Sequence, residues 1–274
     1  MEALHSPLES LARFDHPTHP LLASLLIGAG LVGLAVGAWA PERPHPTLAA
    51  LEAVPLQLQD LWLARAPAPP RPGDVVLAAA DLAPLLASLR QADQNWRPRA
   101  IPLPGGGFRY LYRRRADDPL LNVEQIKQRM LNPPEFGLEQ QAIAALIPAL
   151  ERVGVLVVLG PPIKPGAAAE WDPAARTIRI QPSVVPNGSA EFARVLNHEA
   201  IHVAQSCRRG GLAAQPKLLG LSTQLDAQGQ RHLGDPVYAR ASPLERALER
   251  EAYANQHRLE LAIALLRKEC RQRG

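Results

Sequence analysis

The sequence is poor in aromatic residues, which make up 4 % of its 274 positions. That scarcity argues against a base-stacking surface for single-stranded nucleic acid. Cysteine is scarcer still. Two residues, Cys207 and Cys270, are too few for a disulfide framework or a zinc ribbon built on cysteine pairs. Charge of one sign does not dominate either. The net +4 comes mostly from arginines scattered along the chain, apart from short clusters at Tyr112–Arg115, Cys207–Gly210 and the C-terminal end. No helix-turn-helix pattern accompanies them, so they read as a solvated basic surface and no nucleic-acid partner is expected.

Proline, in contrast, is abundant. The 28 prolines are about twice the ordinary usage and point to long irregular or linker segments. Apolar residues at 47 % and charged residues at 20 % are ordinary for a globular chain long enough to bury a real core.

Residues 21–40, "LLASLLIGAGLVGLAVGAWA", form an uncharged run whose one polar side chain is Ser24. As a helix at ~1.5 Å per residue this run spans roughly 30 Å, the thickness of the hydrocarbon core, and it reads as a single transmembrane anchor. Ala38-Trp39-Ala40 has the small-x-small look of a signal-peptide cleavage site. Pro41 would follow the cut, however, and Glu2, Glu9 and Asp15 outnumber Arg13 where a basic region would be needed. An uncleaved anchor fits better. Arg13 and Arg43 flank the run and nearly cancel in the positive-inside rule, so orientation rests on the short tail, which favours an exported C-terminal part.

After the anchor the pattern is broken. Thr47–Ala64 is helical in character, Arg65–Asp74 ("RAPAPPRPGD") reads as an extended spacer, Asp81–Ala92 as a short helix, and Gly105–Arg115 as a strand launched from a glycine turn. From Leu138 the signals sharpen. An amphipathic helix with a kink at Pro148 is followed by the central strand "VGVLVVLG" (Val153–Gly160). Two short strands joined at Asp172-Pro173 come next, the second being "RTIRI" (Arg176–Ile180). Ser189 is placed to cap the helix after them.

That helix, roughly Ala190–Cys207, carries "LNHEAIHVAQ". Successive residues turn by ~100°, so His198 and His202 project only about 40° apart, one turn above the other. Phe192, Leu196, Ala200, Val203 and Cys207 make a separate apolar stripe. Two imidazoles on one face can reach one zinc ion at ~2.0–2.1 Å. Glu199, one residue on, is offset from the metal toward its bound water, where it would act as general base.

A third ligand must come from elsewhere. Ser242–Cys270 begins with Ser-Pro, contains no further Pro or Gly, and reads as one long helix with Leu248, Ala252, Leu259, Ile263 and Leu266 as its apolar stripe. Glu249 and Glu251 flank that stripe on opposite sides, and periodicity alone does not choose between them.

The strand "RTIRI", the helix "HEAIHVAQ" and the later "EREAY" resemble the zincin metallopeptidases, in particular small gluzincins, over residues 135–274. The resemblance implies an α+β fold, a zincin-like catalytic domain in which a small mixed sheet packs on the active-site helix and a glutamate helix. It implies one Zn2+ held by His198, His202 and Glu249, with Ala252 as the small residue three positions on. Tyr253 stands where the family carries Asp or Asn beside the ligands. The resemblance also implies that the Arg176–Ile180 strand is the edge that pairs with an extended peptide. An oxyanion donor is needed besides the metal, and His232, Tyr238 and Tyr253 are the candidates. Peptide deformylase shares the His-Glu-x-x-His pattern but needs a cysteine ligand upstream of it, and no cysteine precedes Cys207.

The expected organisation is therefore a tail (1–20), a membrane anchor (21–40), an irregular Pro-rich helical and linker region (41–134) and a metallopeptidase domain (135–274). The expected activity is hydrolysis of peptide bonds in a peptide or protein substrate. The alternative is a catalytically inactive zincin-like binding or scaffold module at a membrane. Both cysteines are expected as free thiols: Cys270 follows Glu249 by 21 residues, about 30 Å along a continuous helix, while Cys207 lies close to His202.

Overall fold

The computed structural model describes residues 67–115 and 118–270. The expected anchor (21–40) and the expected helix Thr47–Ala64 lie outside them. Among the described residues no helix is long and apolar enough to cross a membrane.

In chain order the elements are β1 (Val75–Val76), α1 (Leu82–Asp93), β2 (Arg99–Pro102), β3 (Phe108–Leu111), α2 (Val123–Leu131), α3 (Gly137–Arg152), β4 (Leu156–Leu159), β5 (Ala169–Asp172), β6 (Thr177–Ile180), α4 (Ser189–Arg209), α5 (Ala227–Leu233), α6 (Pro243–Asn255) and α7 (Leu261–Glu269). The fold is mixed α+β. Strands β2 and β3 form a separate antiparallel hairpin, and the other four make one sheet in the order β1-β4-β6-β5. Strands β4 and β6 run parallel, with Leu156 opposite Thr177, while β1 and β5 pair antiparallel to them, so the sheet is small and mixed.

Period-two alternation explains how β6 is used. Ile178 and Ile180 enter the hydrophobic core under α3 and α4. Arg179 points to the opposite face and meets Asp74 in a two-pronged pair, Nη1–Oδ1 and Nη2–Oδ2 both 2.8 Å, with side chains 3 % and 1 % exposed. The Arg65–Asp74 segment thus ends by delivering a buried carboxylate to the sheet. Leu77 after β1 and Leu85 and Leu89 of α1 belong to the same core cluster as Phe192, Leu196 and Ile201 of α4.

Strand β6 carries the correction to the expected substrate edge. It lies inside the sheet between β4 and β5, with all four residues buried, so it has no free edge. The free edge next to it belongs to β5, the first arm of the hairpin. Sequence alternation identified both arms but not which was outermost, because that depends on β4 taking the other side of β6.

The start of α4 also differs from expectation. Ser189 is the first helical residue, and the capping position is Gly188 at φ 88°. The cap is supplied from α1: Asp93 accepts from the Ser189 amide (2.7 Å), the Ser189 hydroxyl (2.7 Å) and Gln140 Nε2 (3.1 Å). A side chain at position 188 would put its Cβ 2.5 Å from Asp93 Oδ1, so the left-handed conformation and the close carboxylate both call for glycine.

The largest departure is at the C-terminal end. The expected single helix is two, α6 and α7, separated by Gln256–Glu260. No Pro or Gly marks the break. It is held by Asn197 of α4, whose Nδ2 donates to the carbonyls of Gln256 (2.8 Å) and Arg258 (3.2 Å). Helix α7 therefore folds back along α4, and Cys270 reaches Cys207 in a disulfide with the Cα atoms 5.0 Å apart. The expectation of two free thiols fails because it rested on a continuous helix.

Candidate metal centre

Helix α4 runs through the middle of the molecule, and every residue from Phe192 to Cys207 is buried. Its imidazole-bearing face is covered by α6. That helix is started by the Ser242 hydroxyl accepting from the Glu245 amide, with Pro243 in the first helical position. Glu249, in the second turn of α6, is thereby aimed at α4.

His198 Nε2 and His202 Nε2 lie 3.1 Å apart. Glu249 Oε2 lies 3.2 Å from the first and 3.5 Å from the second. Ligand atoms at ~2.0–2.1 Å from one ion in a tetrahedral site are about 3.3 Å from each other. The three atoms thus make one triangular face of such a tetrahedron, and the group could hold a metal ion. Nitrogen and oxygen donors of this kind, two imidazoles and a carboxylate, suit zinc in its catalytic form, with the fourth position left open.

The electrostatics of the metal-free group agree. Burial pulls the pKa of His202 down, but the Glu249 and Glu199 carboxylates and the Gln205 contact outweigh it and hold it at about 9. Burial lowers that of His198, which stays neutral despite Glu249. Burial pushes the Glu249 carboxyl up, and the two imidazoles overcome it and keep Glu249 well below the usual carboxylate range. The group holds one positive charge on His202 against one negative charge on Glu249, and a cation entering it displaces that proton.

Glu199 is not one of the three. It is 6 % exposed beside them, and burial pushes its carboxyl up to about 7, against the pull of His202 and a hydrogen bond from the Trp171 backbone. That sets it near neutrality, where a carboxylate can both take and return a proton.

The group forms the floor of a cleft of about 600 Å³. Strand β5 and the loop before it line one wall. Tyr238, Glu245 and Tyr253 line the other. Glu170 pins the loop by accepting from the amides of Ile163 (2.6 Å) and Lys164 (3.1 Å). Lys164 then bridges the cleft mouth to Glu245 at 2.8 Å, with its ammonium 4.5 Å from the Tyr238 ring.

The three candidate oxyanion donors all line this cleft, in unequal positions. The Tyr238 hydroxyl donates to Glu249 Oε2 at 3.1 Å and lies 2.9 Å from that of Tyr253. His232 stacks on the Tyr253 ring at 5.6 Å and reaches Asp235 at 3.3 Å, further from the ligand atoms. Tyr253 packs its ring on His198, centroids 4.4 Å apart. Tyr253 places a ring face and no acceptor beside His198, whose Nδ1 has no hydrogen-bond partner in its buried position.

Glu251 is excluded as the ligand by its own contacts. It is 1 % exposed and turned away from the cleft, accepting from Gln205 Nε2 (2.8 Å), the Leu219 amide (2.9 Å) and the Leu221 amide (2.8 Å). Sequence reasoning missed Gln205 and Asn197. The former was detectable, since it follows His202 by one helical turn on the same face.

No family model, no curated protein and no solved structure matches the chain. The functional reading therefore rests on the residues themselves.

Proposed function

We propose that this chain is a zinc-dependent peptidase of gluzincin type, anchored in a membrane through residues 21–40. The observation that carries the reading is the triangle of His198 Nε2, His202 Nε2 and Glu249 Oε2, with sides of 3.1, 3.2 and 3.5 Å, and a carboxylate tuned to about 7 beside it. Zinc bound there supplies Lewis acidity and a water that ionises near neutral pH. Glu199 takes the proton and passes it to the leaving amine. Strand β5 is the edge of the sheet and lines the cleft, which suits an extended peptide laid antiparallel or parallel to it, although its Trp171 amide is already given to Glu199. Of the three candidate donors the Tyr238 hydroxyl reaches the ligand carboxylate directly, and it would turn from Glu249 to meet developing negative charge.

The Cys207–Cys270 bond bears on location. Disulfides persist in oxidising compartments and are rare in the cytosol. The bond supports an exported catalytic domain.

A second reading, a zinc-binding module without turnover, draws on one observation, the partnerless Nδ1 of His198. A less firmly oriented ligand weakens the hold on the metal and its water. The test is to purify the full chain in detergent, measure bound zinc, and assay cleavage of a peptide library beside Glu199→Gln. Stoichiometric zinc with cleavage abolished in Glu199→Gln supports the peptidase. Zinc without cleavage supports the module, and equal cleavage by both proteins removes Glu199 from the chemistry.

A further inference from the structure

We propose that Gln205 and Glu251 are positioning residues that fix the orientation and proton placement of His202, an inference resting on the metal-site reading above. His202 Nδ1 lies 2.7 Å from Gln205 Oε1, and Gln205 Nε2 lies 2.8 Å from Glu251 Oε2 and 3.3 Å from the Leu248 carbonyl. All three side chains are buried.

The chain of contacts has one self-consistent hydrogen arrangement. A backbone carbonyl only accepts, and the Glu251 oxygen in question already accepts from the Leu219 amide, so the end of the Gln205 amide that faces Glu251 and Leu248 must be its NH2. The other end is then an oxygen, which only accepts. His202 Nδ1 must therefore carry the hydrogen that it shares with Gln205. Its Nε2 is left as the atom facing His198 and Glu249, with a lone pair whenever the ring is neutral. Glu251 thus acts on a ring that it does not touch.

Glu251 is itself held firmly. The Leu219 and Leu221 amides donate to its two oxygens, and Gln205 fills a further acceptor site. A buried carboxylate with three donors rotates little, so it presents a fixed acceptor to Gln205. The contrast with His198 sharpens the inference. Of the two imidazoles, one has a buried two-residue relay behind it and the other has no hydrogen-bond partner at Nδ1. The geometry assigns His202 as the rigid ligand and His198 as the adaptable one.

Two measurements on the full chain in detergent test this, one of them independent of metal. In metal-free protein, proton NMR should show a far-downfield, exchange-protected imidazole N–H, assigned to His202 Nδ1 through its bonded nitrogen, that disappears in Gln205→Met. A resonance that is absent from the parent, or survives the substitution, overturns the relay. The second measurement is zinc affinity by competition with a chromogenic chelator. Loss of such outer partners typically weakens binding about 10–100-fold, and Gln205→Met should fall in that range with its helical signal intact. Unchanged affinity overturns the proposal. Should Gln205→Met fail to fold, the parent's own Nδ1–H signal decides: its absence, or its free exchange with solvent, overturns the relay. Absence of zinc binding by the parent would defeat the metal-site reading, while the N–H resonance would still report on the relay.

Discussion

Cys207 ends the buried stretch of the metal-site helix, and its sulfur is bonded to that of Cys270, 63 residues later, at the end of α7. The bond closes a loop that contains α5, α6 and the turn at Gln256–Glu260, and so includes Glu249. It ties together the two chain segments whose approach defines the site.

Closing a loop of 63 residues restricts the unfolded chain by about 4 kcal/mol on the chain-entropy account. Replacing both cysteines by alanine should lower the melting temperature by roughly 10 °C for a domain of this size. Zinc affinity should change little, since the bond lies beyond the ligands on both helices. Calorimetry and chelator competition on the same variant check the two parts. An undiminished melting temperature would mean that the unfolded state is already constrained.

The disulfide also shows where the sequence stopped being legible. His198, Glu199 and His202 could be read because a single helix fixes their relative directions, and no tertiary information is needed. Strand β4 and the β5–β6 hairpin were legible from β-branched composition and Asp172-Pro173. The break between α6 and α7 was not, because its cause is the Asn197 amide on another helix. The same holds for Asp93 capping α4 and for the choice between Glu249 and Glu251, which depends on what lies across from each. Features set by one segment were readable, and those set by the meeting of two were not.

The role proposed for Glu199 ties activity to pH. As the acceptor of a proton it must be ionised, so kcat/KM should rise with pH and level off, with the limb at or below about 7 because a bound cation favours ionisation further. Stability runs the other way. The carboxyl is pushed up by burial, so the folded state holds its proton more tightly than the unfolded chain does, and the resulting stabilisation is lost as pH rises from the ordinary value of 4.5 to about 7. Glu199→Gln should therefore abolish cleavage yet melt higher than the parent at pH 8 in metal-free form. A variant that melts lower there would contradict the burial argument.

The two tyrosines should separate kinetically. Tyr238 reaches Glu249 Oε2, while Tyr253 reaches the Tyr238 hydroxyl. If Tyr238 donates to the charge that develops in the reaction, Tyr238→Phe should lower kcat about 100-fold with KM nearly unchanged, the size typical of one lost oxyanion donor. Tyr253→Phe, acting through Tyr238, should cost less than Tyr238→Phe. Steady-state kinetics on a cleaved peptide checks the order. A reversed order would move the donor role to Tyr253.

The buried pair between Asp74 and Arg179 sets a limit on where the folded unit begins. Arg179 sits in the central strand β6 with its side chain 3 % exposed, and the carboxylate that neutralises it comes from before β1. Removing one partner of such a pair leaves an uncompensated buried charge and costs about 3–5 kcal/mol. Asp74→Ala should destabilise by that amount at neutral pH, measured by urea unfolding. The hydrogen bonds from Arg179 hold the Asp74 carboxyl below its ordinary value of 3.8, against burial, so its contribution is present above that value and is lost only as pH falls through the lower folded one. The difference between parent and Asp74→Ala should therefore shrink only in strong acid. A fragment starting at residue 135 lacks Asp74 and also Leu77, Leu85 and Leu89 of the core. It should fail to fold cooperatively, although it contains every residue of the metal site. Cooperative unfolding of that fragment would show that the sheet and helices after residue 135 need neither the neutralising carboxylate nor those leucines.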